Sequence, residues 1–537
     1  MTADQIFLTG QVLTMNPKAP DASAFAISGK RFCAVGSDEE VRTWTHDKTK
    51  VVDLGGRTVV PGFIESHNHL SIYAMTLLQA NCTTPPNSSV EDVKAQVKEM
   101  VRAAERGQWI KGWGYDDTLI AEKRHLTRAD LDEVSPRNPV LISHISGHLA
   151  YANTMALEIA GIGPGSAQPA GGEIHKDEKG VPTGLLMEEP ALLLVFQHIP
   201  PYGVSQLKDV FQKAISHYHR AGITSVHDAA IGYFRHGRQV LQAYRELEAE
   251  GKLNLRVYMT IIEELYRELL DLGLGTGFGS RYLKLGGVKF FQDGSIQGLT
   301  AALSEGYHNK PDFRGDLILP QETLDGLVEK YHGSGIQVVI HSNGDRAIES
   351  TLQAVEKAYR LHPGLDHRNM IIHCQLASLD HIKRMKRIGV VPSYFVNHVY
   401  YWGDRHVSMF LGPERAQRID PLGSSVEEGL IFTLHSDLPV TPVDPLFSIH
   451  CAVNRITREG KLLGPEERIP PLEALKAYST HAAYCSFEEN LKGSIEVGKV
   501  ADFAVLSDNP LVVAPEAIKD IQVKATAMGG HVVYGNI

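Results

Sequence analysis

The chain has 537 residues, 43% of them hydrophobic and 22% charged, with a formal net charge of −10. That length accommodates one large domain and a second body, and the composition is that of a globular protein. No stretch is densely basic, which argues against a nucleic-acid partner, and the longest apolar runs, such as Ala191 to Phe196, are far shorter than the roughly 20 residues of a membrane span.

No basic leader followed by an apolar core opens the chain, and the five cysteines (Cys33, Cys82, Cys374, Cys451, Cys485) form no CxxC pair. Reduced thiols in a cytoplasmic protein are the expectation. The first 60 residues read as short strands with turns: "IFLTGQVLTM", "AFAISGKRFCAVG" and "VVDLGGRTVVPG". The closing segments "GSIEVGKVADFAVLSD" and "IQVKATAMGGHVVYG" look alike. The two ends, residues 1–60 and 481–537, are therefore expected to pair into a small β-sandwich domain.

Between them, over 61–480, short apolar runs alternate with helical periodicity, the beat of parallel βα units. The strand candidates are "VVPGFIESH", "PVLISHIS", "ITSVHDA", "LGGVKFFQDG", "IQVVIHSNGD", "NMIIHCQL", "VVPSYFVNH" and "GLIFTLHSD". Eight of them predict an α/β chain with a (β/α)8 TIM barrel. The Gly- and Pro-rich segment over about 151–201 exceeds a usual βα loop and is expected to be an insertion over the barrel mouth.

His67 and His69, in "TVVPGFIESHNHL", end the first of these runs. An HxH pair carries little weight alone in a chain with 25 histidines. His217 and His219 have the same spacing, but in a helical run, where residues two apart diverge. On a strand, residues two apart share a face, and in a barrel the C-terminal strand ends form the active site. Later candidates end in further functional groups: His227, Lys289, His341, His373 and Asp437. Imidazoles and a carboxylate are ligands that zinc takes, and they exceed what one open tetrahedral site needs, which suggests two metals. A lysine among them fits as a neutral amine or, after carbamylation, as a bridging anion; an inward Lys289 paired with Asp293 is the plain alternative.

The order HxH, Lys, His, His, Asp resembles the amidohydrolase superfamily in its binuclear form with a carboxylated lysine. The motifs "PGFIESHNH", "SGHLAYANTMAL", "GVKFFQDGSIQGLTAAL", "IHSNGDRAIE", "HSDLPVTPVDPL" and "GSIEVGKVADFAVLSDNPL" are similar to those of N-substituted formamide deformylases and exoenzyme-regulatory-protein-like members. The resemblance implies that His67, His69 and Asp437 hold one zinc and His341 and His373 a second, with carboxylated Lys289 bridging; other divalent metals are compatible. Two departures stand out. Glu65 replaces a shorter acidic residue, and His435 stands where a small residue is usual, pointing inward to narrow the pocket or buttress the metal.

The implied chemistry is metal-assisted hydrolysis of a carbon–nitrogen bond in a small molecule, an N-formyl or N-acyl amide, with Asp437 relaying the proton. His148 of "SGH" would contact the substrate carbonyl or pack its loop. Asp293, Asp345 and His227 would support the metal ligands, contact the substrate or bond loop backbone, and Trp113 would wall the pocket or belong to the core. Lactone, ester or cyclic-amide hydrolysis on the same site stays open, as does a non-catalytic regulatory protein, although the complete ligand set favours an enzyme. A homo-oligomer is compatible with the sequence.

Overall fold

The structure, a computed structural model, describes residues 2–233 and 236–537. Its central sheet has eight strands in sequential order: β1 (Phe63–Asn68), β2 (Ile223–Ile231), β3 (Arg256–Ile262), β4 (Leu283–Phe291), β5 (Val338–Ser342), β6 (Met370–His373), β7 (Val391–Tyr394) and β8 (Thr433–Leu434). All seven neighbouring pairs are parallel. The Ser66 hydroxyl donates to the Leu434 carbonyl across the remaining seam (3.0 Å), so the sheet is a nearly closed barrel. Strands such as β5 and β6 are buried on both faces, the reason they read as unbroken apolar runs.

The helices outside follow from local signals. Leu379–Ile388 starts at the Ser378 cap, buries Ile382, Met385 and Ile388 along one stripe, and stops at Gly389, whose φ of 74° suits glycine. His217 and His219 lie on the helix Val204–Arg220, and the His219 ring is spent on the Asn254 carbonyl (2.9 Å).

Both chain ends contribute to two sheets beside the barrel. One holds Arg31–Gly36, Ala24–Ser28, Gln5–Leu8 and Lys50–Asp53; the other holds His531–Gly535, Val523–Met528, Phe503–Leu506, Thr58–Pro61, Gln11–Leu13 and Asp21–Ala22. Phe503–Leu506 runs antiparallel to Thr58–Pro61, the pairing of termini expected. Phe7, Phe25 and Phe32 from one sheet meet Phe503 from the other, with Phe7 and Phe25 stacked at 4.6 Å between centroids. The chain passes from this sandwich into the barrel through Gly62. A Cβ there would lie 2.3 Å from the Thr224 hydroxyl oxygen, so the close approach of β1 and β2 requires glycine.

Residues Ser71–Ala214 and Gly232–Ala243 form a second compact unit, within which the expected 151–201 insertion falls. Its six-stranded sheet runs Glu173–Lys176, Pro182–Met187, Leu149–Ala152, Val140–His144, Ile110–Tyr115 and Ala80–Asn81. This corrects one strand assignment. "PVLISHIS" is not the second barrel strand; Val140–His144 pairs instead with Ile110–Tyr115 and, antiparallel, with Leu149–Ala152. The barrel's third strand is the overlooked "RVYMTII" of β3. Short buried strands carry no record of their partners, so the total of eight was right with one member exchanged.

Candidate metal centre

The barrel brings the rings of His67, His69, His341, His373 and His435 into one cluster. Centroids are 5.2 Å apart for His67–His69, 5.6 Å for His67–His373, 5.1 Å for His67–His435 and 4.5 Å for His341–His373. Asp437 closes the group, its Oδ1 3.5 Å from His67 Nε2 and 3.3 Å from His69 Nε2. Each side chain sits at or just beyond the C-terminal end of a strand. His373 and Asp437 hold left-handed backbones, φ 67° and 57°, a strain of about 1–3 kcal/mol each that aims their side chains inward.

The surrounding bonds set the imidazole tautomers. His69 Nδ1–H donates to the Ala229 carbonyl (2.9 Å), leaving the Nε2 lone pair toward Asp437. His341 Nε2 lies 3.0 Å from both the Gly294 carbonyl and Asn343 Nδ2; with its proton given to the carbonyl, the ring's lone pair is on Nδ1. A longer relay serves His373. The Ser66 hydroxyl donates to Leu434, Ser393 donates to Ser66 (3.1 Å), His435 Nδ1–H donates to Ser393 (2.8 Å), and His373 Nδ1–H donates to His435 Nε2 (3.2 Å). This proton ordering satisfies every member and leaves a lone pair on His373 Nε2, 3.1 Å from that of His341 Nδ1.

Two lone pairs facing each other at that distance repel unless a cation joins them. Ligands of one tetrahedral ion bound at 2.0–2.1 Å stand about 3.3–3.4 Å apart, close to the 3.1, 3.3 and 3.5 Å found. His67, His373 and Asp437 also bring one ligand atom each within 4.8 Å of one another. Buried His67 Nε2, Lys289 Nζ and Asp437 Oδ1 have no hydrogen-bond partner among the described residues. The donor set fits divalent metal.

Electrostatics agree. Burial, then neighbouring positive groups, holds His67 and His373 well below the usual imidazole range, in the neutral form a ligand needs. Burial pushes the Asp437 carboxyl up, but His69, His435 and Lys289 outweigh it and keep it below its ordinary value. Burial brings the Lys289 amine down to about 7 against the attraction of Asp437.

The alternative pairing of Lys289 with Asp293 is not formed. Asp293 instead accepts the backbone N–H groups of Ala302 (3.0 Å), Asn343 (2.9 Å) and Gly344 (2.8 Å), fixing the loop that follows His341. Glu65 accepts the Ser436 N–H (2.9 Å) and hydroxyl (3.1 Å), tying β1 to the residue before Asp437; burial raises its carboxyl to about 8. His227 is buried against Tyr258, at 4.8 Å between centroids, and the charges acting on it are those of Lys492 and Glu488. Asp345 binds the Ser304 backbone and hydroxyl.

His148 and Trp113 belong to the second unit, and the strand preceding His148, Val140–His144, is not one of the barrel's. His148 Nδ1 is hydrogen-bonded to Glu188 Oε2 at 3.0 Å. Trp113 lies on Ile110–Tyr115 and is nearly buried. Asp116, Asp117 and His144 cluster in that unit too. There the Ser146 N–H donates to His144 Nδ1 (3.1 Å), which leaves the proton on Nε2, facing Asp117 (3.1 Å), so His144 has no lone pair for an ion.

Sequence reading missed Ser393 and His398. His398 follows β7, its ring 4.3 Å from Phe395 and 6.3 Å from His373. The only signal was the histidine ending "VVPSYFVNH", but the strand stops at Tyr394.

A family model described as the amidohydrolase family matches residues 50–534. YtcJ of Bacillus subtilis, named an amidohydrolase, is 30% identical over 533 residues, 98% of each chain. The N-substituted formamide deformylase of Arthrobacter pascens is 29% identical over 541 residues, 99% of this chain and 98% of that one. The crystal structure of an uncharacterized metal-dependent hydrolase from Pyrococcus furiosus matches with a TM-score of 0.75 at 28% identity, covering 94% of this chain and 99% of that one. With agreement over nearly its whole length, this chain belongs to the amidohydrolase family of metal-dependent hydrolases.

Proposed function

We propose that the chain hydrolyses a non-peptide carbon–nitrogen bond of a small molecule, an N-formyl or N-acyl amide, at a two-zinc centre. The observation that carries this reading is the meeting of ring nitrogens and a carboxylate from β1, β5, β6 and the end of β8 around the Lys289 amine, which has no hydrogen-bond partner among the described residues. His67, His69 and Asp437 would hold one ion, His341 and His373 the other. Bound zinc supplies Lewis-acid polarisation of the carbonyl and lowers the pKa of water.

The protein's own groups do the rest. A Lys289 amine near pKa 7 is partly neutral at physiological pH, so it can add CO2; its nitrogen bonds the carbon, sheds a proton to solvent and becomes an anionic carbamate, which would give the metals a further oxygen ligand. Asp437, charged at neutral pH, accepts a proton from the attacking water and passes it to the departing nitrogen. Asp293 and the Ser66–Ser393–His435 relay keep His341 and His373 in position. The name of the Arthrobacter pascens relative favours formamides as the first substrates to try.

The test is metal analysis followed by a hydrolysis screen. Protein supplied with zinc and bicarbonate should carry two ions per chain and turn over members of a panel of N-formyl amides, N-acyl amides, cyclic imides and lactones, the amides fastest. Protein that retains no stoichiometric metal and stays inert would sink the proposal.

A further inference from the structure

Within the second unit, a cleft of about 530 Å³, counting the space open to solvent, is walled by apolar side chains including Met75, Leu141 and Phe196. Its polar groups have a marked bias. Lys111 reaches into it, and Trp113 Nε1 and His236 Nδ1 are buried with no hydrogen-bond partner among the described residues. Among the described residues, no aspartate or glutamate lines the cleft and Lys111 has no ion pair. Its ammonium lies instead over the face of Tyr202, 3.3 Å from the ring centroid.

We propose that this cleft binds a small amphipathic monocarboxylate, whose charged end is held by Lys111 and Trp113 and whose apolar body lies against the aliphatic and aromatic walls. A buried cation without a counter-ion is costly, and a polarised ring face offsets only part of that cost. Burial accordingly lowers the Lys111 amine to about 7. A carboxylate would restore the cation's partner and accept the orphaned indole N–H in one charge-assisted group. A dianionic phosphate would need more than Lys111, the one lysine or arginine among the described residues that line the cleft, and a ligand without charge would leave the ammonium unpaired. The walls suit a short alkyl or phenylalkyl chain. The site lies within one structural unit and does not rest on the hydrolytic reading of the barrel.

Isothermal titration of the full-length, zinc-loaded protein with octanoate and with octanamide tests it. Octanoate should bind at pH 6.5 at least about tenfold more tightly than octanamide, the scale of one charge-assisted hydrogen bond. Its affinity should fall by pH 8.5, as the free amine loses its proton. Lys111→Met should lose at least about tenfold in octanoate affinity, and Trp113→Phe several-fold. His67→Ala, which damages the zinc ligands, should keep the wild-type affinity, because a carboxylate could otherwise be binding zinc.

Equal binding of octanoate and octanamide would overturn the proposal. So would undiminished octanoate affinity in folded Lys111→Met, or binding lost in His67→Ala. If Lys111→Met does not fold, Trp113→Phe and the comparison of the two ligands still decide.

Discussion

Glu65 offers the sharpest test of how the barrel presents the proposed metal ligands. Alanine at this position removes the acceptor of both the Ser436 N–H and the Ser436 hydroxyl, and Glu65 and Ser436 are each 0% exposed. Each of these two buried donors left without an acceptor costs about 1–3 kcal/mol, and the vacated side-chain volume adds about 1–2 kcal/mol. Relief from burying a carboxyl that burial holds near pKa 8 returns part of this, leaving a net loss of about 2–5 kcal/mol. In a unit of several hundred residues each kcal/mol moves the midpoint by about 1–2 °C, so Tm should fall by about 5 °C. Ser436 precedes the strained Asp437, so zinc affinity should also fall about 10–100-fold. Glu65→Gln keeps a carbonyl acceptor for the N–H and can donate to the hydroxyl oxygen, so it should stay within about 1 kcal/mol of the parent. Calorimetry of metal-free protein and a zinc competition titration read both effects. Glu65→Ala melting within a degree of the parent with unchanged zinc affinity would refute the reasoning, as would equal losses in the two variants.

Lys289→Ala should retain at most one zinc per chain by elemental analysis and lose hydrolysis by at least about a hundredfold; full activity with full metal would reject a bridging role. His435→Ala removes the acceptor of His373 Nδ1–H and should weaken zinc binding about 10–100-fold, with partial recovery in His435→Gln, whose carbonyl can accept the same proton. Equal zinc affinity in both variants and the parent would remove His435 from the relay. At the junction of barrel and sandwich, Arg256 donates to Asp502 twice, at 2.6 and 3.0 Å, both side chains 4% exposed. Arg256→Met strands a buried carboxylate and should cost about 3–5 kcal/mol in urea unfolding. Adding Asp502→Asn should cost less than the separate losses summed, and simple additivity would show that the pair does not act as one.

From the residues alone one could read which side chains gather at the C-terminal strand ends of the barrel. His67, His341, His373 and Asp437 were legible because each ends an apolar run, and side-chain direction at a strand end is set by local parity. The pairing of the chain ends was legible for a similar reason, since both show the same short-strand punctuation. Partner choice was not legible. Val140–His144 and Arg256–Ile262 are equally good buried strands, and only the segments each one pairs with send one to the second unit and the other to the barrel. The same holds for individual side chains. Parity put Lys289 on the inner face, but its freedom from Asp293 depended on backbone N–H groups from residues 302, 343 and 344 claiming that carboxylate. His435 and Glu65 looked like departures from a pattern. Tertiary contacts gave them work, one holding His373 and the other anchoring Ser436, because a hydrogen bond is defined by its two ends and the sequence displays them 62 and 371 residues apart.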